Sequence, residues 1–200
     1  MPKVKYRDFL QKLKKTDVFS FGILESKMGR NYAKIFIHNL RKKGEIEELV
    51  KGWYTFKKSP YLVLIPLQKA YIGLGTAAFL LGAWNQVPNI DILTPLASLK
   101  VKSGEKTIWK RKVIIRRISE KMYFGYELIK EDEQWIKVSN PEKTLIDLIY
   151  FKYPFLNEIS SNLTDMINSK KLNKYLEILK KRKVKGWKRI SETVKNLKPF

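Results

Sequence analysis

Apolar residues in the first sixty positions fall at helical intervals. Val4, Phe9, Leu10 and Leu13 are spaced for one face of a first amphipathic helix, with Lys and Arg between them, and Thr16-Asp17 breaks it. Ser20 is suited to cap a second helix, with Ile23, Leu24 and Met28 facing inward, and Gly29 to stop it. Arg30-Asn31 opens a third helix to about Lys43, whose apolar residues Ala33, Phe36, Ile37 and Leu40 keep the i, i+3, i+4, i+7 spacing. Gly44 ends it as a left-handed cap. Two β-rich runs follow, Ile46–Val50 and Trp53–Lys57, around a Lys51-Gly52 turn, and they read as a hairpin. Three helices and a hairpin in this order are the parts of a winged helix-turn-helix.

Ser59-Pro60 marks a boundary, so the sequence predicts two domains, 1–58 and 59–200, in an α+β protein. In the second domain, Tyr61–Ile65 reads as a strand ended by Pro66, and Ile72–Trp84 as a buried helix. Strands are expected at Ile90–Thr94, Val113–Ile118, Met122–Ile129 and Trp135–Val138, with an acidic turn Glu131-Asp132-Glu133 between the last two. Asn140-Pro141-Glu142 starts a helix with a cap and a proline at the first position, and Leu145, Ile146, Leu148 and Ile149 form its buried side. From Ile159 the chain reads as helical and, from about 160, increasingly basic.

Charge sharpens this picture. The 200 residues include 41 Lys and Arg against 19 Asp and Glu, a net charge of +22. The excess is uneven: +9 over 1–58, zero over 59–99, +4 over 100–160 and +9 over 161–200. Two basic ends around a neutral middle argue against a uniform compositional bias and for an anionic partner, with nucleic acid ahead of a membrane surface. The chain has no cysteine and one histidine, His38, which excludes disulfides, thiolate chemistry and multi-histidine metal sites. Met1–Lys5 lacks the apolar core of a signal peptide, so a cytoplasmic location is expected. Ala70–Ile90 is uncharged, but Asn85, Gln86, Pro88 and three glycines interrupt it, and no membrane span is expected.

The third helix offers the clearest binding chemistry. Projection at 100° per residue puts Asn31, Lys34, Ile35, His38 and Lys42 opposite its apolar stripe. Such a face suits a major groove: Asn31 can pair with adenine, and His38 can reach a base or a phosphate. Lys27, Arg30, Lys34 and Arg41 suit phosphates, and Lys51 sits at the wing tip. Glu45, Glu47 and Glu48 oppose this reading unless they are paired or turned away. A second basic surface is offered by Lys180, Lys181, Arg182, Lys183, Lys185, Lys188 and Arg189, with Trp187 available for stacking or packing. Gly73-Leu74-Gly75-Thr76-Ala77-Ala78 matches G-x-G-x-x-A, but no strand is expected directly before it, so its small residues are read as packing. Glu142 and Asp147 are split across two faces of their helix. No catalytic constellation, metal site or cofactor motif is visible, and the chain is read as non-enzymatic.

The order of these features resembles the AbiEi-type antitoxins, transcriptional regulators of type IV toxin–antitoxin pairs. The similar segments are RNYAKIFIHNLRKKGEIEELVKGWYTF, YIGLGTAAFLLGAW, IDILTP, YFGYELI and WIKVSNPEKTLIDLIYF, of which Pro141-Glu142-Lys143-Thr144-Leu145-Ile146-Asp147 is the most specific. They span roughly residues 5–155. The resemblance implies double-stranded DNA at the protein's own promoter as one partner, with autorepression of the operon. It also implies a nucleotidyltransferase-like toxin, countered through the C-terminal domain. The basic tail lies outside it. A palindromic operator would call for two copies, so a monomer and a homodimer both remain open. A stand-alone regulator and a structured-RNA binder are the alternative readings.

Overall fold

In the computed structural model, which describes residues 6–96, 103–131 and 134–197, the chain is a mixed α+β protein. Its first unit runs α1 (Arg7–Lys15), β1 (Phe19–Ser20), α2 (Phe21–Met28), α3 (Arg30–Lys42), β2 (Glu47–Val50) and β3 (Trp53–Thr55). The three strands form an antiparallel sheet in the order β1-β3-β2. Leu10, Leu13, Phe19, Leu24, Met28, Ala33, Phe36, Ile37, Ile46 and Tyr54 make one core between the helices and this sheet.

Glycines set the two sharp joints around α3. Gly29, at φ +78°, ends α2 and begins α3: its N–H donates to the Glu25 carbonyl and its own carbonyl accepts from the Ala33 N–H. Gly44, at φ +66°, closes the far end, where its N–H donates to Arg41 O and the Glu45 N–H reaches back to Leu40 O. These two bonds satisfy carbonyls that a helix end leaves unpaired. The hairpin turns at Lys51-Gly52 as expected.

Three local expectations for this unit are corrected. Ile23 is 45% exposed and does not face inward. Phe19–Ser20 forms a strand whose two residues are too few to show alternation in the sequence. The second hairpin strand stops at Thr55, whose hydroxyl donates to Asp17 O at 2.7 Å and accepts from the Lys57 N–H at 2.9 Å, drawing the chain out of the ladder. Val4 lies outside the described residues.

The second unit is built on a six-stranded mixed sheet of β4 (Tyr71–Ile72), β5 (Ile90–Thr94), β6 (Gly104–Ile108), β7 (Arg111–Arg117), β8 (Tyr126–Glu131) and β9 (Gln134–Ser139). The order is β6-β7-β5-β4-β9-β8, with β4–β9 and β5–β7 parallel and the other pairs antiparallel. One face buries Ile72, Ile90, Ile92, Val113, Ile115, Ile136 and Val138 against a 3-10 turn at Pro60–Val63, the short α4 (Leu64–Leu67) and Leu49 and Val50 of β2. The other face, including Tyr71 and Leu93, is covered by helices: α5 (Leu74–Leu80), α6 (Pro141–Tyr150), α7 (Leu156–Leu163), α8 (Ser169–Lys181) and α9 (Trp187–Asn196).

The expected strand at Tyr61–Ile65 is thus helical. Pro60 presets the first turn, and the consecutive burial of Tyr61, Leu62 and Val63 fits a turn wedged between two sheets better than a period of two. The helix expected from Ile72 starts only at Leu74, because Tyr71 and Ile72 pair with β5. Met122 sits in a 3-10 turn, and β8 begins at Tyr126. The β6 strand was hidden by its polar sequence, GEKTI, at a sheet edge. Of the acidic turn, Asp132-Glu133 lies outside the described residues. The seam near residue 58 is packed: Leu49 and Val50 enter the second unit's core, and the Lys106 ammonium donates to Leu49 O at 2.8 Å.

Candidate nucleic-acid interface

The apolar stripe of α3 fixes which residues it presents to solvent. Ala33, Phe36 and Ile37 are buried, and the expected outward residues Asn31, Lys34, Ile35, His38 and Lys42 are all exposed. Ile35, at 58% exposure, is an isolated apolar side chain among polar ones. The helix stands as a ridge between two hollows. One, of about 550 Å³, lies beside Tyr32, Ile35 and Asn39. The other, of about 340 Å³, lies beside Lys34, His38 and Tyr54. No acidic residue occupies the first turn of α3, so its free N–H groups and the positive end of its dipole face solvent unopposed by a side chain of the helix itself.

Two of the acidic residues around the hairpin, Glu48 and Glu45, have partners. Glu48 accepts from Arg41 Nη1 at 3.1 Å and from the Gly52 N–H at 3.0 Å. Burial, then the charge and hydrogen bond of Glu48, push the Tyr54 phenol up from its ordinary value. Glu45 stands 3.9 Å from Lys43, and Glu25 3.7 Å from Arg30. Arg41 and Arg30 therefore already face carboxylates. Lys27, on α2, lies over the Phe9 ring at 6.0 Å. Lys34, Lys42 and Lys51 are exposed and make no ion pair among the described residues.

The expected second basic surface divides into two groups. Lys180, Lys181, Lys183, Lys185 and Lys188 are exposed, with Lys180 6.0 Å from the Trp187 ring. Arg182, also exposed, and Arg189 are engaged with backbone carbonyls. Arg182 donates to Lys121 O at 2.9 Å and lies over the Phe124 ring at 5.3 Å. Arg189 is half-buried and donates to Tyr150 O at 3.0 Å and, more weakly, to Ile149 O at 3.4 Å, which also accepts from the Lys152 N–H at 3.1 Å; both carbonyls lie at the end of α6. Trp187 packs against the helical core.

A buried polar centre escaped the sequence reading. The Lys143 ammonium, with no exposed surface, pairs with Asp147 one turn along α6 and donates to the Tyr71 hydroxyl at 2.8 Å. That hydroxyl donates to Asp147 Oδ2 at 2.9 Å. Burial pulls Lys143 down and pushes Asp147 up, each being partly restored by the other's charge. Burial, reinforced by Asp147, drives the Tyr71 phenol well above its ordinary range. The i, i+4 spacing was the available signal, but a lysine in a helix is ordinarily solvated. Glu142 points elsewhere, accepting from the Asn168 N–H at 2.9 Å and facing Lys171 at 3.4 Å.

The glycine-rich segment is corrected in one respect: β4 does directly precede Gly73. The glycines nevertheless serve packing. A Cβ at Gly73 would come within 2.6 Å of the Leu93 side chain, and one at Gly75 within 2.7 Å of Trp84 and closer still to the Tyr153 hydroxyl. Among the described residues no three His, Asp or Glu side chains gather as a metal site, and no helix is long and apolar enough to cross a membrane. Neither the family models nor the curated proteins compared with this chain match it.

Proposed function

We propose that the chain is a sequence-specific DNA-binding regulator whose first unit works as a winged helix-turn-helix. The observation that carries this reading is the exposed face of α3: Asn31, Lys34, Ile35, His38 and Lys42 project together from a helix locked at both ends by glycine, with Glu48, Glu25 and Glu45 paired with Arg41, Arg30 and Lys43. In this reading α3 lies in the major groove. Asn31 reads a base edge near the N-terminus of α3, and the Ile35 side chain meets a thymine methyl. Lys34 and Lys42 contact phosphates, and Lys51, at the hairpin turn, reaches the neighbouring backbone. The resemblance to AbiEi-type antitoxins extends this to autorepression of a toxin–antitoxin operon. No catalytic role is assigned; the buried cluster of Lys143, Asp147 and Tyr71 is sealed from solvent.

The test is binding to the DNA upstream of the protein's own gene against scrambled duplex of equal length, across a salt series. A preference of about a thousandfold that survives physiological salt is expected. Equal, weak binding that collapses with salt would reduce the interaction to the net charge alone and overturn the proposal.

A further inference from the structure

The packing of the two sheets brings a tight turn of each to the same side of the molecule. In the larger sheet β4, β6 and β9 run one way and β5, β7 and β8 the other. The start of β9 and the turn between β6 and β7 therefore lie at opposite ends of it. Asp17 and Lys57, at the end of the first sheet away from its Lys51-Gly52 turn, share a hollow with Gln134 and the exposed Trp135 at the start of β9. Further along β2, Leu49 O accepts from Lys106 on β6. The register sets Lys106 beyond the level of Val138 and so still farther from Gln134. Thus β2 crosses the larger sheet obliquely from β9 toward the β6 edge, and the Lys51-Gly52 turn continues toward the β6–β7 turn. The charges of Glu48, Glu47 and Arg41 all reach the Lys106 ammonium, so this edge also neighbours the C-terminal half of α3.

The β6–β7 turn holds its cations outward. Trp109, at φ +45°, and Lys110, at φ +63°, are both left-handed, in a two-residue turn that ordinarily favours asparagine and glycine. Larger side chains are kept there at a conformational cost. Trp109 packs against the apolar core of the sheet and anchors the turn, while Lys110 is exposed. Arg111, also exposed, pairs across the ladder with Ile108 and shares the sheet face of Lys106 that meets the first unit. Lys110 and Arg111 make no ion pair among the described residues. Of the carboxylates around the seam, Glu105 faces Lys112 at 2.7 Å, Glu48 faces Arg41 at 3.1 Å, and Glu47 lies within the field of Lys106. Two such cations on a fixed turn, with its ring packed on the core, suit phosphate oxygens and not base faces.

We propose that the β6–β7 turn is a second phosphate contact for the duplex held by α3, with Lys110 and Arg111 on the backbone beyond the Lys51 contact. The second unit then takes part in DNA binding and lengthens the footprint. This surface deepens the regulator reading and rests on it.

The experiment is a salt series of full-chain binding to the duplex upstream of its own gene and to scrambled duplex, with the parent and with Lys110→Asn/Arg111→Gln. Asparagine tolerates the left-handed backbone at 110, and an unchanged thermal midpoint verifies the fold. The double variant is expected to weaken binding to both duplexes alike and to lower the salt slope by about two units, with the operator preference intact. Lys180→Gln/Lys181→Gln removes the same charge from the C-terminal helices and is expected to leave the slope in place. A slope unchanged by the first pair would overturn the proposal. A slope lowered equally by the second pair would also overturn it, by reducing the effect to net charge. A parent without operator preference would end the regulator reading, and the scrambled duplex would still decide on the turn. There, a slope lowered only by the 110–111 pair upholds the phosphate contact, and an unchanged slope removes it.

Discussion

Residues 1–58 and 161–200 carry the same net charge, +9, in different surroundings. On α3 and its hairpin turn, Lys34, Lys42 and Lys51 stand in solvent beside a base-reading candidate, Asn31, on a helix whose rear is fixed by core packing. In the C-terminal region, several cations are already engaged by the protein itself. Arg189 holds the end of α6, Arg182 holds the 3-10 turn carrying Lys121, and Lys171 bridges Glu127 and Glu142. Equal charge therefore does not mean equal availability. Lys34, Lys42 and Lys51 make no ion pair among the described residues, whereas the C-terminal arginines are engaged with backbone carbonyls, leaving a fringe of exposed lysines around them. Lys143 marks the extreme of the second use, a cation with no access to any external partner.

The largest effect should come from that extreme. Lys143→Met leaves Asp147 buried without its counter-charge and should cost about 3–5 kcal/mol of stability, read by denaturant unfolding. Lys143→Met with Asp147→Leu should recover most of the loss, because a buried pair replaced by apolar groups of similar volume is close to neutral. If the single variant unfolded like the parent, the buried Asp147 carboxyl would be held neutral or by other partners, and Lys143 would not be what stabilises it. Next in size is Arg189→Ala, expected to cost about 1–3 kcal/mol by leaving the Tyr150 carbonyl unpaired while duplex affinity holds. A loss of DNA affinity with no loss of stability would erase the distinction between the two basic ends.

On the α3 side, the expected signature is reversed. Asn31→Ala should leave the thermal midpoint in place and lower the preference for operator over random duplex by about 1–3 kcal/mol. Equal losses on both duplexes would contradict base reading. Lys34→Ala should weaken binding to both duplexes alike and reduce the salt slope by about one unit, with stability changed by less than about 0.5 kcal/mol. An unchanged slope would remove Lys34 from the contact set and bring α3 closer in character to the C-terminal helices.

Much of this division was legible in the sequence where a local rule decided it. The i, i+3, i+4 stripe of α3, its two glycine stops, the Lys51-Gly52 turn and the Asn140-Pro141 start of α6 are each dictated by residues within a turn of one another. Their consequence, an exposed Asn31–Lys42 face, follows from periodicity alone. What stayed hidden depended on distant neighbours. Tyr61–Val63 turns helical because both a sheet and β2 press on it. Arg189 reads as a phosphate ligand until the end of α6 is placed beside it. Lys143 reads as surface until α8 packs over α6 and Tyr71 comes up from β4. The exposure of Trp135 was equally invisible, since alternation fixes which residues share a face but not which end of the sheet the helices leave open.

The smallest effect offers the finest test of how C-terminal charges are used. The hydrogen bond from Lys171, with help from its charge and from Asn140, holds the Glu127 carboxyl below its ordinary value against the opposing effect of burial. On Lys171, burial works against the charge, but the bond to Glu127 and the fields of Glu142 and Glu127 outweigh it and the ammonium is held up. Both shifts favour the ionised pair in the folded state. For Glu127 the folded value lies below the unfolded one, so its contribution is present above the ordinary carboxylate range and lost as pH falls through the folded value. Glu127 is mostly exposed and Lys171 partly so, so the contribution is less than about 1 kcal/mol, and NMR titration of the Glu127 side-chain carbon is more sensitive than unfolding. Lys171→Ala should raise the Glu127 midpoint toward its ordinary value and flatten the acid limb of the stability profile. Were the midpoint to stay low in that variant, Asn140 would be its principal support, and the role of Lys171 would reduce to its pairing with Glu142 at 3.4 Å.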